Sequence, residues 1–153
     1  MATLSILKRA SKLPRSFSFS RVSGNPRQLR FEIPGAVGSP WEGLRVKGLL
    51  EFPLSYPTGS VSFFVRPSIY HPNVDPYDGL VCVGAQSPDK LAVLKTGKCV
   101  DFHCSVLMTL HSVMLFANPG DCYNQDAAAL YARDKALYKA KARADALKKF
   151  SKF

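Results

Sequence analysis

The sequence predicts an α+β fold: an N-terminal helix, a four-stranded antiparallel meander, a long irregular segment and C-terminal helices. Three observations predict it. Apolar and polar side chains alternate in successive short runs between residues 15 and 65, the period of half-buried strands. Helical spacing of apolar residues is confined to residues 2–13 and to the chain after residue 105. Between these blocks, from Tyr70 to Phe102, there is no regular period. Strands and helices that come in blocks exclude a doubly wound parallel sheet. The 153 residues hold no internal repeat and no linker, so one domain over residues 1–153 is expected.

Leu4, Leu7, Ala10 and Leu13 recur every third residue, on one face of a short helix that Pro14 ends. Over residues 15–22, Phe17 and Phe19 oppose Ser16, Ser18 and Ser20, which reads as the first strand. Gly24-Asn25-Pro26 is a turn. Leu29, Phe31 and Ile33 mark the second strand, and Pro34-Gly35 through Gly38-Ser39-Pro40 a loop. The third strand covers residues 44–52, with Leu44, Val46, Gly48, Leu50 and Phe52 on one face. The dense apolar run 61–65 is a buried fourth strand. Residues 105–116 are helical in spacing through Val106, Leu107, Leu110, Val113 and Met114, and Asn118-Pro119-Gly120-Asp121 stops them. Asp126 is expected to cap a last helix running to the C-terminus, with Ala127, Leu130, Tyr131, Leu137 and Tyr138 on its buried face. The irregular middle is long for a compact domain, and such segments are usually either functional or hold elements that the sequence pattern misreads.

Hydrophobic residues make up 46% and charged residues 21%, which excludes wholesale disorder. Four cysteines do not make a disulfide scaffold. No apolar stretch approaches the ~20 residues of a membrane span, so no membrane partner is expected. The net charge of +10 arises from 21 basic and 11 acidic residues. Residues 1–30 carry +7, residues 31–132 carry −3 and residues 133–153 carry +6. Basic ends around a mildly acidic middle suit an acidic protein partner. They argue against nucleic acid, because the termini lack the interleaved aromatics of a base-stacking surface.

The middle carries a specific order of landmarks. Ser39-Pro40-Trp41-Glu42-Gly43 precedes Phe52-Pro53 and Tyr56-Pro57. Then come Tyr70-His71-Pro72-Asn73-Val74, Gly79-Leu80-Val81-Cys82, Asn118-Pro119-Gly120-Asp121, and Asp126-Ala127-Ala128 with Leu130-Tyr131. The chain resembles the ubiquitin-conjugating enzyme family over nearly its whole length, as a divergent member. A lone His-Pro-Asn recurs by chance; followed by Gly-x-x-Cys and flanked by the other landmarks, it is specific.

The resemblance implies a transferase of the ubiquitin-like conjugation pathway. Ubiquitin or a ubiquitin-like protein would be carried as a thioester on Cys82, received from an activating enzyme. It would pass to a substrate lysine or a partner ligase. The chemistry asks for these residue types. A cysteine thiolate attacks the incoming thioester. The Asn73 side-chain NH₂ can donate to a developing oxyanion or hold the surrounding loop. His71, with Pro72, is implied to fix that loop through backbone hydrogen bonds. Asp121 matches the acid that orients or deprotonates the substrate lysine, and equally reads as a turn residue. Lys8, Arg9 and Lys12 resemble the surface that meets the activating enzyme. No cofactor is implied. Cys99, His103 and Cys104 crowd together, but Cys-x4-Cys lacks a second ligand pair for zinc. Cys104 and Cys122 read as small buried hydrophobes, Trp41 as core, and the basic C-terminal helix as a solvated face.

Three places depart from the family pattern. The stretch from His71 to Cys82 is a residue longer, through Asp75-Pro76-Tyr77-Asp78. Extra residues lie within 83–100, where the usual tryptophan and proline are replaced around Lys98-Cys99-Val100. The loop after Tyr56-Pro57 reads Thr58-Gly59-Ser60. The last two are surfaces on which family members dock RING-type ligases, so atypical docking is implied. Two alternatives stand beside ubiquitin transfer. The basic charge and the Asn-Val-x-Pro-x-x-Gly run also resemble members that conjugate SUMO. An inactive variant that only binds ubiquitin or scaffolds a complex is the other, against which the retained Cys82 argues. The acid-free, Arg- and Ser-rich residues 1–30 resemble a mitochondrial presequence. They also supply the first helix and strands, so cytoplasm and nucleus, where thiols stay reduced, are expected.

Overall fold

The computed structural model describes residues 17–55, 61–82, 114, 115, 117 and 123–152. Four strands, β1 Ser18–Val22, β2 Asn25–Pro34, β3 Arg45–Glu51 and β4 Ser62–Val65, form one antiparallel sheet in the order β1-β2-β3-β4. Among the described residues, helices α1 Gln125–Arg133 and α2 Lys135–Lys149 follow. The expected meander and C-terminal helices are both present. The expected N-terminal helix and most of 105–116 lie outside the described residues, apart from helical Met114 and Leu115.

Alternation sets the buried face of the sheet. Leu29, Phe31 and Ile33 of β2, Val46 and Leu50 of β3, and Phe63 and Val65 of β4 are all buried. Each row of this face crosses the sheet in register: Phe31 stands opposite Gly48, which stands opposite Val65. Gly48 leaves room for the Phe31 ring. A Cβ there would lie 2.5 Å from Phe31 Cζ and 1.9 Å from the Phe64 carbonyl oxygen. Ala127, Leu130, Tyr138, Ala142, Ala146 and Phe150 join the same buried cluster from the helical side.

The C-terminal region differs from the expected single helix. Asn124, not Asp126, is the N-cap of α1, its side chain accepting from Ala127 N at 3.1 Å. Asp134 then breaks the helix in extended backbone. Its N–H donates to Leu130 O, closing α1, while its carboxylate accepts from Leu137 N, capping α2. This dual capping satisfies end groups that a helix otherwise leaves open. The break turns Leu137 outward, at 52% exposure, and puts Tyr138, Ala142 and Ala146 on the buried face.

Beyond β4 the sheet gains one more short segment. Val65 N donates to Gly79 O at 2.8 Å and Val81 N to Phe63 O at 2.9 Å, with Leu80 bridged to Phe64. Residues 79–81 thus cover the outer edge of β4 and deliver Cys82 to the border of the sheet.

Candidate active site

Cys82 follows directly from that edge segment. Val74 and Val81 form an antiparallel bridge, and Cys82 N donates to Asn73 O at 2.9 Å. The backbones of Asn73 and Cys82 are therefore adjacent, across the hairpin of residues 74–81. The hairpin tip is closed by its own backbone and aspartates. Asp75 N donates to Leu80 O, and Gly79 N to Asp75 O. The Asp75 carboxylate accepts from Tyr77 N at 2.8 Å and Asp78 N at 3.1 Å, and the Asp78 carboxylate accepts from Leu80 N at 2.8 Å. Aspartates that fold back on their own backbone make tight turns. Gly79 sits at φ +78, where a Cβ would also lie 1.9 Å from the Val65 carbonyl oxygen. Cys82 is a free, partly exposed thiol.

Behind the cysteine, residues 71–74 are all buried. His71 Nδ1 accepts from Asn73 N at 2.9 Å, so the ring itself shapes the turn into Asn73. Trp41 covers the imidazole, with ring centroids 5.7 Å apart at 44°. The Pro72 carbonyl accepts from Tyr123 N at 2.9 Å and Asn124 N at 3.1 Å, which docks the start of α1 onto the same loop. The loop is thus held from three sides: its own hairpin, Trp41 and the N-terminus of α1.

The structure brings His71, Pro72, Asn73 and Cys82 together. Asp121, Lys8, Arg9 and Lys12 lie outside the described residues, as do Cys99, His103, Cys104, Cys122 and residues 56–60 and 83–100. Trp41, read from the sequence as core, is fully buried and also backs His71. The basic C-terminal helix is not simply a solvated face. Arg143 Nη1 donates to Pro40 O at 3.1 Å and to Glu42 O, on either side of Trp41. Lys149 Nζ donates to Ser68 O at 2.7 Å and pairs with Asp145 at 3.0 Å. Nothing local in the sequence marks these contacts. Asn124 did carry a signal, being an N-cap residue type before an apolar helix. Deeper in the helical side, burial pushes the Tyr138 hydroxyl well above the ordinary tyrosine range, helped by Tyr131 and Tyr70 nearby. Among the described residues, that hydroxyl has no hydrogen-bond partner.

The fold and this arrangement define a class. The family profile described as ubiquitin-conjugating enzyme matches residues 6–146, and the chain belongs to that family. Among curated relatives, it is 31% identical over 123 residues to ubiquitin-conjugating enzyme E2 5 of Arabidopsis thaliana, covering 80% of this chain and 63% of the relative. It is 34% identical over 113 residues to E2 6 of the same plant, covering 70% of this chain and 55% of the relative. Against the human ubiquitin-conjugating enzyme E2 K it is 26% identical over 138 residues, covering 90% and 66%. The matches thus span 55% to 66% of these relatives' own length. The fold is similar to the crystal structure of a Plasmodium yoelii protein assigned as a ubiquitin conjugating enzyme. The TM-score is 0.78 at 18% identity, covering 98% of this chain and 93% of the other.

Proposed function

We propose that the protein carries ubiquitin or a ubiquitin-like protein as a thioester on Cys82 and transfers it to a lysine or to a partner ligase. The observation that supports this most is the partly exposed thiol of Cys82 beside the buried loop of His71, Pro72 and Asn73, joined to it across the hairpin of residues 74–81. In the first step Cys82 Sγ attacks the modifier's thioester carbonyl. A new S–C bond forms and the activating enzyme's thiolate leaves. In the second, a lysine amine attacks the same carbonyl, the C–S bond breaks, the Cys82 thiolate is released and the amine loses a proton. A thioester is already activated, so the site needs orientation more than an unusually strong nucleophile. Asn73 is 1% exposed, which favours its side chain as a support for the loop around the reacting carbonyl. The basic charge flanking this region suits an acidic face on the activating enzyme, with Lys8, Arg9 and Lys12 as contacts and Asp121 beside the incoming lysine.

The test is a charging assay with activating enzyme, ATP and a panel of ubiquitin-like modifiers. A reductant-sensitive adduct with one of them is expected. No adduct with any modifier would leave a binding module. Asn73→Ala should charge normally yet transfer to free lysine roughly 100-fold more slowly, the cost of losing a transition-state donor or its equivalent positioning. Equal transfer rates would remove Asn73 from the mechanism.

A further inference from the structure

We propose that Arg143 is a positioning residue for transfer from Cys82, acting from the C-terminal helix through Trp41 and His71. The proposal rests on the function proposed above. The loop that carries Trp41 closes on itself with its own backbone. Ala36 O accepts from Ser39 N and from Ser39 Oγ, Ser39 O from Glu42 N, Trp41 O from Leu44 N, and Leu44 O from Gly35 N. Glu42 also braces the loop, through a bridge to Gly35 and a carboxylate that accepts from Gly38 N at 2.7 Å, but among the described residues no backbone N–H of the loop donates to the carbonyls of Pro40 or Glu42. These are the two carbonyls that flank Trp41 in the chain, and Arg143 Nη1 donates to both.

A guanidinium suits this position. It is always charged, and the two hydrogens of its planar Nη1 group can reach two carbonyls at once without deprotonating or rotating away. Arg143 makes no ion pair among the described residues. Its charge is therefore directed at the loop rather than at a carboxylate. The residue it pins then touches the site. Trp41 is fully buried and meets the His71 ring at 5.7 Å. His71 Nδ1 holds Asn73 N at 2.9 Å, and Asn73 O holds Cys82 N at 2.9 Å. An unbroken series of hydrogen bonds and one ring contact joins α2 to the nucleophile. Small displacements of a reacting group lower rates steeply, so loosening the far end should be felt at Cys82.

Arg143→Met keeps the aliphatic stem and removes the donors; Arg143→Lys restores one charged donor. Trp41 is the only tryptophan in the chain, so its emission reads this loop without a label. In Arg143→Met we expect red-shifted Trp41 emission and stronger acrylamide quenching. Discharge of the Cys82 thioester to lysine should slow about tenfold in kcat, with KM for lysine unchanged. Arg143→Lys should recover part of both signals. Both rates are read well below the variants' melting temperatures. Wild-type emission in Arg143→Met overturns the proposal, whether discharge slows or not, because the effect then does not pass through Trp41. Altered emission with wild-type discharge overturns it as well. If the wild-type protein forms no thioester, the proposed function fails separately. The linkage is then judged on Trp41 emission and the His71 imidazole NMR resonances, and unchanged signals in Arg143→Met overturn it.

Discussion

Replacing His71 by phenylalanine and by alanine separates two contributions of one side chain. His71 is 1% exposed, its Nδ1 accepts from Asn73 N at 2.9 Å, and its ring lies 5.7 Å from Trp41. Phenylalanine keeps a ring against Trp41 but has no acceptor for the Asn73 N–H. A buried donor deprived of its acceptor costs about 1–3 kcal/mol. Alanine loses the same acceptor and also leaves a void the size of an imidazole. Truncating a buried ring costs about 3–5 kcal/mol, and the smaller imidazole belongs at the low end, so about 3 kcal/mol is added. His71→Phe should therefore be destabilised by about 2 kcal/mol and His71→Ala by about 5 kcal/mol. Urea denaturation followed by far-UV circular dichroism measures both. A His71→Phe variant as stable as wild type would refute the hydrogen-bond argument. Equal losses in the two variants would refute the packing argument.

Two further substitutions test the frame around the site. Gly79→Ala forces a side chain into left-handed backbone at φ +78 and against the Val65 carbonyl, and should cost at least about 2 kcal/mol and disorder the edge segment that ends at Cys82. Thermal melts, together with amide exchange at Val65 and Val81, would show it, and unaltered protection would contradict the reading. Tyr138→Phe removes a buried hydroxyl that has no partner among the described residues, so stability at neutral pH should be unchanged or slightly higher. Because burial raises the Tyr138 pKa in the folded state, the unfolded chain releases this proton first, and stability falls as pH rises past about 10. The phenylalanine variant should show a shallower alkaline loss in urea titrations; an identical slope would count against it.

Much of the fold was legible because its signals are local. Period-two alternation places Leu29, Phe31, Ile33, Val46 and Leu50 on one face, and the structure buries all of them. Helix phase was harder. Residues 125–149 are rich in alanine and lysine and read as one helix, yet a single residue, Asp134, satisfies the ends of two, α1 with its backbone N–H and α2 with its carboxylate. Both N-caps, Asn124 and Asp134, are residue types that signal helix starts, but only competition between neighbouring caps decides which one acts. Of the candidate site, His71, Pro72, Asn73 and Cys82 were legible as short motifs. Their adjacency depends on Asp75 and Asp78 closing the hairpin between them, which motif spacing alone does not determine. Arg143 left no trace, since its partners at Pro40 and Glu42 are more than a hundred residues away and are backbone carbonyls that any sequence supplies.

The central claim is that Cys82 itself carries the modifier. Charging Cys82→Ser beside the wild-type protein tests it most directly, because an oxygen nucleophile can form only an ester. The account predicts a reductant-sensitive adduct on the wild type, and on Cys82→Ser either no adduct or one that resists reductant and yields to hydroxide. A reductant-sensitive adduct that persists in Cys82→Ser would move the thioester to another cysteine and contradict the account.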